Sequence, residues 1–333
     1  MQEEQIKTKV VADSISTNGS RITTFELQFH RFLLPEFNTH RMFSRNAASS
    51  RAIPVNTQLD LIRNHPAMPL HWGKNQPGMQ AKEECNNLFE VDVPVFDDYH
   101  VPLVDSRGAP VLKKVKKTRE EMWKNAANAM IEYAHRFSEA KYHKQIVNRL
   151  VEPFVHIKVV VTATSYNNFF YLRCHEDAQP EIHLLSRLMY DEMVHSVPRE
   201  LNKGEWHVPY YEGSFGNGVW KSGCKNTLQE ALAISASCSA QVSYRKNDAS
   251  LEKAQNIYDK LINSKPAHAS PTEHQATPIV QDGNANISFS PDTWEEGITA
   301  VRKNGKLLSG NFEGWIQHRQ LIPEHEFQDE FRL

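Results

Sequence analysis

The stretch VHIKVVVTATSYNNFFYLRC, residues 155–174, decides what kind of fold to expect. Its first half, VHIKVVVTAT, is a short apolar run and reads as a buried strand. SYNNFFYLRC follows at once and turns into a helix. Upstream, TKVVADSI (8–15) and RITTFELQF (21–29) alternate apolar and polar residues, so they read as two further strands, with STNGS (16–20) as the turn between them. RFLLPEFNTHRMF (31–43) is short helical or irregular chain. Thr118 with Glu121 is a capping-box signature, and Met122, Ala126, Ala129, Met130, Tyr133 and Phe137 follow at helical spacing. Asp177 is placed to cap a helix over AQPEIHLLSRLMYDEM (178–193), where Pro180 is tolerable in the first turn. LQEALAISASCSAQVSY (228–244) is helical in composition. SLEKAQNIYDKLIN (250–263) is amphipathic, with Ser250 as cap and Leu251, Ala254, Tyr258, Leu261 and Ile262 on one stripe. Residues 197–225, rich in glycine, read as loops, and 52–117, broken by prolines and glycines, as a long insertion or lid. Strands and helices therefore intermix, which predicts an α/β or α+β fold with a mixed sheet.

The totals narrow the function classes. A chain of 333 residues with 40% hydrophobic and 23% charged residues can bury a sizeable core. Its formal net charge of −2 gives no global basic field for DNA or anionic membranes, so any phosphate site must come from a local cluster. Cys85, Cys174, Cys224 and Cys238 are scattered and form no CxxC pair, which argues against a zinc site or disulfide framework and fits a reducing compartment. No apolar run is long enough to span a membrane, and MQEEQIKTKVV lacks a signal-peptide core. These features predict a cytoplasmic protein, with no metal, no membrane partner and no stable nucleic-acid partner.

Three constellations carry chemistry. THRMFSRNAASSRAIP (39–54) sets Arg41, Arg45 and Arg51 among serines and small residues. Guanidinium forks, hydroxyl donors and an approachable main chain at Ala47 and Ala48 are what a phosphate needs. A solvated surface loop is the plainer reading. Arg149, Asn168 and Arg173 form the second group. On a helix, Asn168 and Arg173 are separated by about 140°, which suits two ligands against one helix or simply a wet face. The third is AHASPTEHQATP (267–278), a proline-bounded turn with Ser270 as a cap. Its His268, Glu273 and His274 lack the HExxH spacing of a metal site. Cys174 and Cys238 have no base partner nearby in sequence to make them nucleophiles.

Together the three pieces resemble the flavin-dependent thymidylate synthases. That family's Arg-His-Arg, seven residues, Ser signature looks like Thr39-His40-Arg41, MFSRNAA and Ser49, with Asn46 and Arg51 also matching. Its second block looks like Arg149, Pro153, Asn168, Leu172-Arg173 and AQPEI. Its third looks like AQVSY (240–244) and HASPTEH (268–274). The third block normally precedes the first, so the resemblance implies a single catalytic domain over 1–333 in circularly permuted order. Additions would lie at 52–117 and 197–225, and a permuted block, 226–333, would carry HxSPxEH.

The resemblance further implies C5 methylation of dUMP with methylenetetrahydrofolate as carbon donor, FADH2 as hydride donor and NADPH reloading the flavin. It implies a homotetramer with shared sites. Glu36, Ser49, Ser50, Arg51 and Arg149 would hold the nucleotide, and Arg173 would sit at the pyrimidine as the catalytic cation. Thr39, His40, Arg41, Thr162, Thr164, Asn168, His268 and Ser270 would contact FAD. Thr39 and Thr164 stand where the family has arginines, and Ala47 where it has glutamate. WIQHR (315–319) resembles the start of the signature and is a candidate for the missing contacts. These departures leave two alternatives: a flavin-dependent hydroxymethylase of a pyrimidine nucleotide, or a non-catalytic nucleotide or nucleic-acid binder.

Overall fold

The computed structural model describes residues 5–243, 247–279 and 291–326. The chain forms two compact units, residues 1–53 with 156–333, and residues 54–155. The first unit opens with β1 (Lys7–Ser16) and β2 (Arg21–His30), antiparallel from Lys7 opposite Gln28 to Ile15 opposite Arg21. The alternation read from the sequence buries Phe25, Leu27 and Phe29 on one face of β2, and Ile22 is buried on the other. A 3₁₀ turn, Arg31–Leu33, and the single-turn α1 (Leu34–Phe37) lead through residues 38–43 to β3 (Ser44–Ala47).

The second unit comprises α2 (Val55–Asn64), the hairpin of β4 (Phe89–Pro94) and β5 (Leu112–Lys117), α3 (Arg119–Glu139) and α4 (Lys144–Val147). The Thr118/Glu121 capping box is formed in both directions. The buried face of α3 is rotated from the expected one. Ala127, Ile131 and Ala134 pack with Leu59, Ile62 and Val151, while Ala126, Ala129 and Tyr133 face outward. Trp123 sets this rotation. Its ring packs on Phe154 and its indole N–H donates to Ala67 O at 2.8 Å. Residues 54–117 are thus part of a unit with its own core that continues to Val155.

The chain returns to the first unit through β6 (His156–Ala163), the buried strand expected from VHIKVVVTAT, and α5 (Asn167–Arg173), the expected helix. Next comes α6 (Pro180–His195). Its N-cap is Gln179 and not Asp177, because the proline fixes the first turn two residues later. Residues 197–225 are not loops but hold β7 (Arg199–Leu201), β8 (Trp206–Gly213) and β9 (Gly216–Trp220). Their glycines hid these strands. Gly218 has φ +77°, and a Cβ there would lie 2.5 Å from Ala12 Cβ, so glycine lets β9 approach β1. Then follow α7 (Leu228–Ala240), with a Thr227/Glu230 capping box missed in the sequence, and α8 (Leu251–Leu261). Ser250 is the N-cap of α8 by position but makes no side-chain cap bond.

After α8 come β10 (Ala276–Pro278), β11 (Ala300–Val301), β12 (Leu307–Ser309), β13 (Phe312–Glu313) and β14 (Trp315–Gln317). The first unit therefore holds a five-stranded sheet in the order β3-β6-β2-β1-β7, a four-stranded sheet β14-β10-β8-β9 and a small sheet β11-β12-β13. This is a mixed α+β fold, as expected. Among the described residues no helix is long and apolar enough to cross a membrane.

Candidate functional site

The register of β3 on β6 builds the site. Ser44 lies opposite Thr162 in an antiparallel pair, so the residues before Ser44 run alongside those after Thr162. This brings the signature loop 39–43 to the start of α5. Aromatic packing fixes it there. Phe43 lies 5.2 Å from Phe169, Phe37 meets Phe169 edge-on, and the His40 ring stands at 89° to Phe169 at 4.9 Å. A cavity of about 310 Å³ opens between these elements, lined among others by His40, Arg41, Met42, Asn168, Phe169 and Arg173.

Arg173, in the last turn of α5, is pinned at two points. Its Nε donates to His40 Nε2 at 3.0 Å and its Nη1 to the Glu36 carboxylate. A guanidinium has no acceptor, so His40 Nε2 must carry a lone pair and the ring proton sits on Nδ1. Burial, then the charges of Arg173 and Arg45, push the His40 pKa down to about 4, which keeps the ring neutral near pH 7. Arg45 Nη1 donates to His40 O at 2.8 Å, holding the loop from the other side. Nη2 of Arg173 makes no hydrogen bond among the described residues and remains a donor toward a ligand. Asn168 and Arg173 line the same cavity, despite their angular separation, because the long arginine side chain reaches back along a short helix.

The other expected residues fall into several groups. Arg41 lines the cavity and is exposed, with no acidic partner among the described residues. Thr39 also lines it, but its hydroxyl donates to Glu36 O at 2.7 Å. Ser49, Ser50 and Arg51 follow β3 outside the cavity lining. Ser49 N–H donates to Ser243 Oγ at 2.9 Å, which joins the first and third sequence blocks, and Arg51 is exposed. Tyr244 of AQVSY lies outside the described residues. Arg149 is exposed in the second unit. His268 and Ser270 are exposed at the turn Ser270–Glu273, whose N-cap is Ala269, so Ser270 is not the cap expected.

The expectation for Thr162 needs correction. The residue is fully buried, with Oγ1 2.7 Å from Thr24 Oγ1 and 2.9 Å from His274 Nδ1, so its hydroxyl is engaged inside the fold. It belongs to a continuous buried chain. Ser14 Oγ meets His207 Nδ1, His207 Nε2 meets Thr24, Thr24 meets Thr162, and Thr162 meets His274. Oriented by its partners, the Asn46 amide nitrogen reaches His274 Nε2 at 3.2 Å and the carbonyls of Arg45 and Ser270 at 3.1 Å. Burial holds the pKa of both His207 and His274 down to about 3. Thr164 Oγ1 accepts from Glu313 N–H at 2.8 Å.

WIQHR meets the first block without entering the cavity lining. Gln317 Nε2 donates to Ser44 Oγ at 3.1 Å, His318 is buried, and Arg319 pairs with Glu273. Sequence reasoning flagged Gln317 only as part of WIQHR and missed Asn311 and Arg302, and all three touch the signature loop or its strand. No spacing rule flags Asn311 or Arg302. Among the described residues no group of three His, Cys, Asp or Glu side chains is arranged to hold a metal ion.

Fold and site define an α+β protein whose cavity is lined by guanidinium, amide and aromatic groups. The family described as thymidylate synthase complementing protein matches residues 20–199, more than half of the chain. The protein belongs to this family, the flavin-dependent thymidylate synthases. Solved structures similar to it include thymidylate synthase X from Helicobacter pylori with FAD and dUMP, at 14% identity, TM-score 0.32, and 52% of this chain against 67% of that one. A UMP/dUMP methylase, PolB, from Streptomyces cacaoi bound with 5-Br dUMP gives 14% identity, TM-score 0.36, and 57% against 90%. Overlaps of this extent carry no argument of their own. No curated protein sequence matches the chain.

Proposed function

We propose that this protein is a flavin-dependent thymidylate synthase that methylates dUMP at C5, with methylenetetrahydrofolate as carbon donor and FAD reduced by NADPH. The observation that carries the reading is Arg173, held by His40 and Glu36 at the wall of a cavity whose loop and helix both lie within the family match. A guanidinium fixed in this way donates to the C4 carbonyl and N3 of a uracil ring. It thereby favours the ring's anionic form and raises electron density at C5. Arg173 is the catalytic residue in this reading. Glu36, its ion-pair partner, orients the fork.

Ser49, Ser50 and Arg51 take the nucleotide phosphate, and the part given to Arg149 rests on the family resemblance alone. The cavity's volume of about 310 Å³ lies at the lower end of ligand sites, roughly 300–1,000 Å³. Phe169 gives it an apolar face and Asn168 and Arg41 give it donors. The flavin would be held by Thr39, His40, Arg41, Asn168, His268 and Ser270, with Thr164 at the strand end. When bound, FAD supplies the hydride that reduces the transferred carbon. The same reading makes the protein a homotetramer, with 52–117 and 197–225 as additions to its catalytic core.

Purified protein is expected to bind FAD and, given folate and NADPH, to release tritium from C5-labelled dUMP. Protein that takes up no FAD and releases no tritium would remove the reading. A hydroxymethylase is the second reading. It is favoured by Thr39 and Thr164, whose hydroxyls are engaged within the chain where the family has arginines. The mass of the product decides between them, a gain of CH2 for methylation or of CH2O for hydroxymethylation.

A further inference from the structure

The small sheet β11-β12-β13 lies beyond the family match and is docked on the signature loop. Asn311 Nδ2 donates to Met42 O at 3.0 Å, Ser44 Oγ donates to Asn311 Oδ1 at 3.2 Å, and Glu313 N–H donates to Thr164. These bonds set Arg302, just after β11, beside Met42 at the edge of the signature loop. Its Nη2 lies 3.6 Å from Sδ of Met42, a lining residue, and 2.6 Å from the Glu313 carboxylate.

Glu313 is shared by two cations. Lys306 Nζ lies 3.5 Å from its other oxygen. If Arg302 turned toward an anion, Lys306 would still neutralise the half-buried carboxylate. Arg302 can therefore change partner without stranding a charge. The neighbouring wall has no cation at Thr39 or Thr164, and each hydroxyl there is engaged.

We propose that Arg302 is a ligand-binding residue of this cavity and takes the phosphate group of a nucleotide at its rim, with Glu313 as the carboxylate displaced. The proposal rests on the nucleotide reading above and assigns it a residue from outside the family match. The phosphate could be that of the flavin dinucleotide or of the pyrimidine nucleotide, and paired titrations separate the two. FAD is compared with riboflavin, and dUMP with deoxyuridine, on the full-length protein and on Arg302→Gln.

Loss of one charge-assisted hydrogen bond should weaken the phosphorylated member of one pair about tenfold, and leave its phosphate-free counterpart within twofold. Glu313→Gln should tighten the same phosphorylated ligand severalfold, an effect that a merely structural Arg302 would not give. The proposal is overturned if Arg302→Gln binds FAD and dUMP as the parent does, or if it weakens riboflavin or deoxyuridine equally. A parent protein that binds neither FAD nor dUMP would remove the function reading as well. Binding by the parent with no effect of Arg302→Gln would remove this inference alone.

Discussion

The cavity wall and the buried interior against the five-stranded sheet both hold neutral histidines, and they use them differently. At the wall, His40 turns its Nε2 lone pair to Arg173 Nε, Glu36 takes Nη1, and Nη2 is left as a donor toward the cavity. In the interior, His207 and His274 are closed on both ring nitrogens by Ser14, Thr24, Thr162 and Asn46. With Asn46 donating to His274, every bond can run one way. The His274 Nδ1–H donates to Thr162, Thr162 to Thr24, Thr24 to His207, and the His207 Nδ1–H to Ser14. The difference teaches that a polar cluster acts on a ligand only where a donor is left over. The one donor left over in the interior chain, the Ser14 hydroxyl, is fully buried, and the chain holds strands β1, β2 and β6, strand β8, and the Asn46 end of the signature together.

Substitutions should separate the two clusters, and the largest effect is expected at the wall. Arg173→Ala should lower turnover by about 10²–10³ while the unfolding midpoint stays close to that of the parent, because it removes a donor to developing charge and not a core contact. Steady-state rates and a thermal melt check both halves. An unchanged rate would take Arg173 out of the reaction.

His274→Ala should do the reverse. It strands Thr162 and Asn46 and opens a cavity, so stability should fall by roughly 2–4 kcal/mol in denaturant unfolding. Equal stability of variant and parent would contradict the interior role.

The pH dependence sharpens the comparison. In the unfolded chain the rings titrate near 6.5, whereas the fold keeps His207 and His274 neutral down to about 3. Between these values the unfolded chain binds more protons. Stability is therefore fully present above about pH 6.5 and falls as pH drops through that window, by at most ~1.4 kcal/mol per pH unit for each ring. Urea unfolding across pH 4–8 should show this slope, and His274→Gln should flatten it. A stability that rises on acidification would contradict the assignment.

The smallest effect belongs to Glu36→Gln. Freeing Arg173 from a partly exposed ion pair should tighten nucleotide binding by a factor of about 2–5, with turnover reduced because the fork is less well oriented. Calorimetry with dUMP reads the first and kcat the second.

Much of this was legible in the sequence where the signal is local. The alternation in 8–29, the run at 155–164 and the Thr118/Glu121 box each correspond to an element found in the structure. The signature and the second block pointed to Glu36, His40, Asn168 and Arg173, and the β3–β6 register brings all but Glu36 into one cavity lining, with Glu36 bonded to Arg173. What could not be read depends on pairing across long separations. The His40–Arg173 bond spans 133 residues, and the burial of Thr162 follows from a helical turn 112 residues later. Strands β8 and β9 were hidden because glycine, which in isolation marks a loop, serves there for close approach of backbones. Arg302 carries no motif, and only the docking of its sheet gives it a neighbour in the cavity.

The most direct measurement is the absorption spectrum of protein-bound FAD during titration with dUMP, for the parent and for Arg173→Ala. A pyrimidine gripped by that guanidinium against the flavin should perturb the parent's flavin bands saturably and leave those of the variant almost unmoved at the same concentrations. Identical perturbations with identical midpoints in both proteins would mean that Arg173 does not meet the nucleotide.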